Sequence, residues 1–162
     1  MCSNLKLSNK IKLLICDFDG VFTDGGFFVG ENGVTFKKVN FKDIMGISNV
    51  IKAGYKVAFV SGEKTPAIDI IVKKFNIEDN YQGIRIKKEV VENLLAKYSY
   101  SPEEVLYIGD DINDIEAMKL AGYRIAPENA NYKVKQLENI QITKAAGGNG
   151  AFREVADTLL EL

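Results

Sequence analysis

The chain alternates between two patterns of apolar and polar positions. Short, mainly apolar runs, at residues 11–16, 56–60 and 105–108, have the length and composition of buried strands. Between these runs, apolar residues recur every three or four positions, which is typical of amphipathic helices. Strand patterns that alternate with helical patterns predict an α/β fold with a mostly parallel sheet.

Shorter elements complete the predicted fold. Residues 27–29 and 34–36 flank a Gly-Glu-Asn-Gly turn, which predicts a β-hairpin. Asp43 is predicted to be the N-cap of the next helix, and Thr65, followed by a proline, the N-cap of the one after it. Further helices are predicted from residue 87, over residues 112–121 and around residues 152–160, and short strands at residues 80–82, 123–126 and 140–142.

Length and composition predict one globular domain over residues 1–162. The chain is 46% hydrophobic and 27% charged, and its net charge of -1 argues against nucleic acid or an anionic membrane as partner. The apolar runs are far shorter than the ~20 residues of a membrane span, and residues 1–10 lack the apolar stretch of a secretory signal. Cys2 and Cys16 do not make a disulfide framework, so we expect a cytoplasmic protein.

The chain contains no histidine. This absence excludes Ser-His-Asp and Cys-His nucleophile activation, and histidine-based zinc sites as well. Acid–base chemistry in this protein must therefore use carboxylates, lysine, tyrosine or bound water.

Asp17 and Asp19 are the strongest candidates for chemistry. They follow the first apolar run and are one residue apart, so their side chains point the same way along an extended chain. The carboxyl ends of parallel strands form the edge at which open α/β sheets bind ligands. Two like charges in such a crevice are costly unless one carries a proton or a cation lies between them.

Other predicted strand ends bring polar residues to the same edge: Ser61, Asp110 and Asp111, with Lys87 at a following helix start. Asp110 and Asp114 are four residues apart and can share a face. At about 4 Å and an effective dielectric of about 20, each pair of unit charges interacts by about 4 kcal/mol. Clustered carboxylates therefore indicate a hard divalent cation, and all-oxygen ligands suit Mg²⁺.

Four segments in order resemble the motifs of the haloacid dehalogenase superfamily of phosphatases. They are residues 17–21 (DFDGV), Ser61, Lys87 and residues 109–114 (GDDIND), and the resemblance covers nearly the whole chain. It implies a three-layer Rossmann-like core with a parallel sheet. It also implies a protruding β-hairpin, inserted at about residues 22–41, and no separate cap domain.

The resemblance also implies a role for each motif residue. Asp17 would attack phosphorus and form an aspartyl-phosphate, while Asp19 would protonate the leaving oxygen and then activate water. Members that cleave carbon–halogen bonds lack the second acid, so Asp19 favours phosphate esters. Lys87 would be catalytic, and Mg²⁺ would bind Asp17, the carbonyl of Asp19 and Asp110. Phosphate binding is implied for Ser61, Gly62, Lys87 and Asn113, and supporting positions for Asp111 and Asp114.

Within the superfamily, the chain most resembles the small cap-less 3-deoxy-octulosonate (KDO) 8-phosphate phosphatases and their nonulosonate 9-phosphate relatives. The residues that carry this resemblance are 23–26 (TDGG), 81–83 (YQG) and 147–154 (GGNGAFRE). It implies a Mg²⁺-dependent phosphatase that acts on the phosphate monoester of a 3-deoxy-2-ulosonic acid sugar. It further implies a homotetramer assembled through the hairpin that carries Phe27 and Phe28.

The residue at position 63, a glutamate, leaves open which of the two substrate classes the enzyme uses. KDO 8-phosphate phosphatases of this type have an arginine there, and an acid cannot replace a guanidinium that grips a carboxylate. Glu63 and Lys74 match substrate-binding positions of the branch that acts on KDN 9-phosphate or N-acylneuraminate 9-phosphate. Ile71, however, stands where that branch has arginine.

Two other classes of function compete with a phosphatase. A receiver-type phosphoacceptor also combines carboxylates, Mg²⁺, a hydroxyl and a lysine, but its acids after the first strand are adjacent rather than spaced by one residue. A non-catalytic tetramerising domain is the second alternative, since related domains occur fused to nucleotidyltransferases. All the site acids are retained here, which favours an active enzyme.

Overall fold

The structure, a computed structural model, describes residues 4–162, so Cys2 lies outside the described residues. The strands are β1 (Leu13–Cys16), β2 (Phe28–Val29), β3 (Thr35–Phe36), β4 (Lys56–Ser61), β5 (Asp79–Gln82), β6 (Val105–Ile108), β7 (Tyr123–Ala126) and β8 (Ile140–Ile142). The α-helices are α1 (Phe41–Lys52), α2 (Pro66–Phe75), α3 (Lys87–Tyr98), α4 (Ile115–Met118) and α5 (Ala151–Leu159). Short 3₁₀ helices span Pro102–Glu104, Ile112–Asp114 and Val134–Gln136.

Six strands form one parallel sheet in the order β5-β4-β1-β6-β7-β8. β1 is central, and its last residue, Cys16, is paired with Phe59 on β4 and Ile108 on β6. The chain passes from β1 to β4 on one side and later to β6 on the other. The crevice between β1 and β6 is therefore the point at which an open α/β sheet binds its ligands.

Helices cover both faces of this sheet, which gives the three layers predicted. Leu14 and Cys16 face a core shared with α1, α2 and α5, whereas Leu13 and Ile15 face one shared with α3 and α4. All four of these β1 side chains are fully buried. A strand buried on both faces requires a continuous apolar run, which is why residues 13–16 are all apolar and do not alternate.

The predicted hairpin forms between β1 and α1. β2 and β3 pair antiparallel, with Phe28 opposite Phe36, and the Gly33 N–H donates to the Gly30 carbonyl in the turn. Phe28 is 74% exposed and Phe36 63% exposed, so the hairpin projects from the core. In residues 4–162, the segment between β1 and α1 holds this hairpin and no further strand or helix, as the prediction of no cap domain requires.

Asp43 is not the N-cap of α1, so that prediction was wrong. Asn40 takes this role, because its Oδ1 accepts a hydrogen bond of 2.9 Å from the Lys42 N–H. Asp43 lies in the first turn of α1 and caps another helix: its carboxylate accepts from the N–H groups of Gly150, at 3.1 Å, and Arg153, at 3.0 Å. The preference for aspartate at helix N-caps correctly identified Asp43 as a capping residue. It assigned Asp43 to the wrong helix, because the groups that Asp43 caps lie far away in the sequence.

The helix predicted over residues 112–121 is shorter than expected. The segment begins as the 3₁₀ helix Ile112–Asp114, and only Ile115–Met118 is α-helical. Asp114 explains the tight start, because its carboxylate accepts hydrogen bonds from the backbone N–H groups of Asp110 and Asp111. No helix among residues 4–162 has both the length and the apolar character required to cross a membrane.

Candidate active site

Asp17 directly follows β1 and points into the crevice between β1 and β6. Its N–H continues the sheet by donating to the Ile108 carbonyl at 3.0 Å, and the residue is only 5% exposed. Its Oδ1 accepts from the Phe18 N–H at 2.7 Å, and its Oδ2 lies 2.7 Å from Nζ of Lys87. Both carboxylate oxygens are therefore held in a fixed orientation.

Lys87 is the first residue of α3 and is 1% exposed. Its Nζ lies between Oδ2 of Asp17, at 2.7 Å, and Oδ1 of Asp114, at 2.8 Å. Burial alone would lower the pKa of Lys87, but the two carboxylates raise the pKa above its ordinary value. The two carboxylates thus favour the charged form of Lys87, in contact with Asp17.

Asp114 organises the floor of the site. It is fully buried, and its Oδ1 accepts from Lys87 and from the Tyr107 hydroxyl, both at 2.8 Å. Its Oδ2 accepts from the N–H groups of Asp110, at 3.1 Å, and Asp111, at 3.2 Å. One carboxylate therefore anchors both the lysine and the loop after β6.

Asp110 follows β6 and faces Gly20 across the crevice. A Cβ on Gly20 would lie 1.9 Å from Oδ2 of Asp110, and Gly20 has a φ of +78°, so glycine is needed there for both space and conformation. Burial, reinforced by the charges of Asp114 and Asp111, raises the pKa of Asp110 to about 7. A cation bound nearby would favour the ionised form of this carboxylate.

The residues present fit a magnesium ion. Asp17, Asp110 and Asp114 each contribute a carboxylate oxygen to a group whose atoms lie within 4.8 Å of one another. Both oxygens of Asp114 already accept two hydrogen bonds each, so Asp17 and Asp110 are the better ligands. All-oxygen donors with few carboxylates suit Mg²⁺. The Asp19 carboxylate faces other partners, so its predicted metal contact rests on the backbone carbonyl and stays a prediction.

Asp19 lies at the mouth of the crevice. Its Oδ2 is 2.6 Å from Nζ of Lys37, and its Oδ1 accepts from the Thr23 hydroxyl at 3.2 Å. Lys37 also reaches Oε2 of Glu63 at 3.2 Å. Partial burial opposes the charge of Lys37, but the bonds to the two carboxylates raise its pKa above the ordinary value.

All the predicted site residues except Lys87, Asp114 and Lys74 line one cleft of about 270 Å³. Ser61 ends β4, is 1% exposed, and its Oγ accepts from the Glu63 N–H at 3.3 Å. A Cβ on Gly62 would lie 3.6 Å from Nδ2 of Asn113, so these two residues face each other across the cleft. A larger groove of about 780 Å³ beside α5 contains none of the predicted site residues.

Lys74 lies outside the cleft. It is an exposed residue in the last turn of α2, with Nζ 5.4 Å from the centre of the Phe75 ring. Glu63 lines the cleft and Lys74 does not, so the two residues do not share one site within one chain. Its role in substrate binding stays a prediction.

Three features of the site were not predicted from the sequence. Lys37 reaches the site from the hairpin. Tyr107, within β6, donates its hydroxyl hydrogen to Asp114; a buried tyrosine in a strand generally signals that its hydroxyl has a polar partner.

Gly147 packs against the loop after β1, since a Cβ there would lie 1.8 Å from the Gly20 carbonyl oxygen. The adjacent N–H of Gly148 donates to the Val21 carbonyl at 2.9 Å. The glycine pair is therefore packed tightly against the site loop.

A parallel sheet with aspartates after β1 and β6 and a buried lysine between them defines a haloacid dehalogenase-like hydrolase, and the profile of that family matches residues 82–154. The chain is 35% identical to the 3-deoxy-D-manno-octulosonate 8-phosphate phosphatase KdsC of Escherichia coli K12, over 94% of this chain and 81% of the relative. It therefore belongs to the family of 3-deoxy-D-manno-octulosonate 8-phosphate phosphatase-like haloacid dehalogenase proteins.

Solved structures agree with this assignment. The crystal structure of the 3-deoxy-D-manno-octulosonate 8-phosphate phosphatase of Yersinia pestis has a TM-score of 0.88 and 35% identity, with 94% of this chain and 82% of that chain covered. The enzyme of Moraxella catarrhalis, solved with a magnesium ion, a phosphate ion and a KDO molecule, has a TM-score of 0.88 and 30% identity, with 94% and 87% covered.

Proposed function

We propose that this chain is a Mg²⁺-dependent phosphatase for the phosphate monoester of a 3-deoxy-2-ulosonic acid sugar, with 3-deoxy-D-manno-octulosonate 8-phosphate as its first candidate substrate. The observation that carries the proposal is the buried ion pair of Lys87 with Asp17, opposite Asp110 in the cleft. The KdsC relative supports the substrate by its name, and the Moraxella catarrhalis complex supports both the metal and the sugar.

The first step of the proposed reaction joins Asp17 to phosphorus. An oxygen of Asp17 attacks the phosphorus, the bond from phosphorus to the sugar oxygen breaks, and Asp19, which must enter this step protonated, gives its proton to that oxygen. Lys87 and the Phe18 N–H hold the Asp17 carboxylate in place, so its orientation costs little at the moment of reaction. The products of this step are the free sugar and an aspartyl-phosphate.

The second step releases the phosphate. Asp19, now ionised, takes a proton from a water molecule whose oxygen attacks phosphorus, and the bond to Asp17 breaks. Ser61, the N–H of Gly62 and Asn113 would hold the phosphoryl oxygens from the far side of the cleft. Mg²⁺, held by Asp17 and Asp110, would neutralise charge between the carboxylates and the phosphoryl group.

The second candidate is a KDN 9-phosphate or N-acylneuraminate 9-phosphate phosphatase. Glu63 favours it, because its side chain lies at the mouth of the cleft and is 74% exposed, where a substrate could meet it. Lys74, the other residue of that branch, is exposed on α2 and could reach only a site outside its own cleft.

Assembly and location complete the proposal. The exposed aromatic residues of the hairpin and the start of α1 support a homotetramer, since Phe27, Phe28, Phe36 and Phe41 are each more than half exposed. The reducing cytoplasm is the expected compartment, because the buried Cys16 is free and is not part of a disulfide.

The test is a substrate panel with Mg²⁺: KDO 8-phosphate, KDN 9-phosphate, N-acetylneuraminate 9-phosphate and p-nitrophenyl phosphate. We expect phosphate release from all four, with the highest kcat/KM for KDO 8-phosphate. A higher kcat/KM for either 9-phosphate would establish the second candidate instead. Stable phosphorylation of Asp17 without turnover would indicate a receiver, and no reaction at all would indicate a non-catalytic domain.

A further inference from the structure

Lys37 is a partly buried charge on an otherwise exposed element. It follows β3 directly, so it lies where the hairpin returns to the core, and its side chain is only 13% exposed. Its neighbour Lys38 is exposed, and so are Phe28 and Phe36 in the hairpin. The chain therefore turns one lysine of the pair inward, to the mouth of the cleft.

Lys37 and Thr23 together contact both oxygens of the Asp19 carboxylate. Nζ of Lys37 lies 2.6 Å from Oδ2, while the Thr23 hydroxyl donates to Oδ1 at 3.2 Å. The same hydroxyl accepts from the N–H groups of Gly20 and Gly25, both at 3.2 Å. A hydroxyl has one hydrogen, so these backbone donors direct it at Asp19. Both oxygens of the Asp19 carboxylate are thus held by groups from different segments.

Lys37 acts mainly on Asp19 and less on Glu63. The contact with Glu63 is longer, 3.2 Å, and the Glu63 side chain is 74% exposed, whereas that of Asp19 is 32% exposed. Exposed ion pairs hold their partners weakly, because water screens the charges. Glu63 is therefore a secondary and weaker partner of Lys37.

We propose that Lys37 is a positioning residue that orients the Asp19 carboxylate for attack of water on the phosphorylated enzyme. The inference rests on the proposed function, in which Asp19 activates that water. Lys37 directly follows β3, in the hairpin segment between β1 and α1. The hairpin is therefore part of the catalytic apparatus.

The test compares Lys37→Met, Lys37→Arg and the matched control Lys38→Met with the wild type, using p-nitrophenyl phosphate and Mg²⁺. Its leaving group needs no proton, so a misplaced Asp19 slows only the release of phosphate from Asp17. In Lys37→Met we expect kcat to fall about 100-fold, the cost of a misplaced catalytic group, and KM to fall with it, so that kcat/KM changes less than about 3-fold, because only the step after formation of the aspartyl-phosphate is slowed. We also expect a burst of about one p-nitrophenol per site and accumulation of phosphorylated protein, measured by rapid quench and intact mass.

Lys37→Arg should recover part of kcat, and Lys38→Met should match the wild type. A crystal structure of Lys37→Met should show the Asp19 carboxylate rotated away from Thr23. The inference is overturned by a rise in KM at constant kcat, by a fall in kcat without phosphorylated protein, or by an unmoved Asp19. A wild type that releases no p-nitrophenol would instead refute the phosphatase proposal, and the inference with it.

Discussion

Lys87 shows how the site is stabilised at the scale of single residues. A lysine that is 1% exposed would be unfavourable alone, and so would the carboxylates of Asp17 and Asp114 on either side of it. Together they satisfy one another at 2.7 Å and 2.8 Å. Removing one partner of such a buried pair costs about 3–5 kcal/mol, because the remaining charge is left without compensation. The same contacts fix the orientation of Asp17.

Asp17→Asn should abolish turnover and preserve the fold. The amide has nearly the shape of the carboxylate but is a very poor nucleophile, so we expect kcat for p-nitrophenyl phosphate to fall at least about 1,000-fold. Steady-state kinetics with Mg²⁺ measures this, and circular dichroism checks the fold. Asp24→Asn, the same change at an exposed residue of the same loop, is the control. Full activity in Asp17→Asn would remove Asp17 as the nucleophile.

Asp110→Asn should weaken Mg²⁺ binding. The wild-type protein should gain thermal stability from Mg²⁺, because a ligand that binds only the folded state raises Tm. The variant loses a carboxylate ligand, and we expect its dissociation constant for Mg²⁺ to rise about 10-fold or more. Thermal unfolding across a Mg²⁺ titration, with NaCl at equal ionic strength as control, measures both. An identical Mg²⁺ response in the two proteins would exclude Asp110 as a ligand.

Residues at strand ends were predictable, and residues that arrive from elsewhere were not. The positions of Asp17, Ser61 and Asp110 follow from locating β1, β4 and β6, since parallel strands end at one edge. Lys37 reaches the site through the return of a hairpin, and no local pattern distinguishes it from Lys38. Such contacts depend on the direction of the hairpin, which the sequence pattern does not specify.

At the scale of elements, capping groups join segments far apart in the chain. Asp43 on α1 caps α5 through Gly150 and Arg153, and α1 packs so closely on α5 that a Cβ on Gly46 would lie 3.1 Å from the Phe152 ring. Sequence patterns located β6, β7 and β8 at the residues observed. The predicted N-cap Thr65 and the predicted helix start at Lys87 are confirmed. The cap of α1 was predicted wrongly, because the Asp43 carboxylate serves a helix other than its own.

Glu104 links the Pro102–Glu104 turn to the start of β1 and predicts a pH effect. Its carboxylate is 2.6 Å from Nζ of Lys12 and also accepts from the Ser101 N–H at 2.9 Å. The hydrogen bond from Lys12, helped by that from Ser101, lowers the pKa of Glu104 below 4.5. The folded state therefore binds the proton more weakly than the unfolded state, so the stabilisation is complete above the ordinary pKa and is lost as the pH falls through the lowered one.

Glu104→Gln should remove this pH-dependent stabilisation. We expect the wild type to be slightly more stable than the variant at about pH 6, and the difference to shrink as the pH falls to about 3. Urea unfolding of both proteins across that range measures the difference. Glu31→Gln, at an exposed residue of the hairpin turn, provides the matched control. A difference that grew toward acid pH would contradict the assignment.

At the scale of the whole molecule, helices cover both faces of the sheet, and the hairpin projects from this core with exposed apolar side chains. Continuous apolar runs separated by helical patterns specify a parallel sheet buried on both faces, and the structure has that architecture. The hairpin does not pack on this core, and Phe28 and Phe36 are largely exposed. A surface of this kind is expected to be covered by another molecule.

Phe28→Asp should dissociate the proposed tetramer. A charge placed in an apolar interface costs several kcal/mol, so we expect the variant to elute as a smaller species at concentrations at which the wild type is assembled. Size-exclusion chromatography with light scattering measures the mass. Tyr132→Asp, at a residue 64% exposed elsewhere on the surface, should leave the mass unchanged. A wild type that is monomeric would refute the proposed assembly.

The contact of Gly147 with Gly20 bears on how the enzyme matures. During synthesis β1 and its two aspartates leave the ribosome early, whereas the glycine pair that braces the following loop leaves it more than a hundred residues later. A nascent chain therefore contains Asp17 and Asp19 well before it contains the glycine pair that packs against their loop. We therefore expect the site to reach its working arrangement only after the glycine pair has been synthesised.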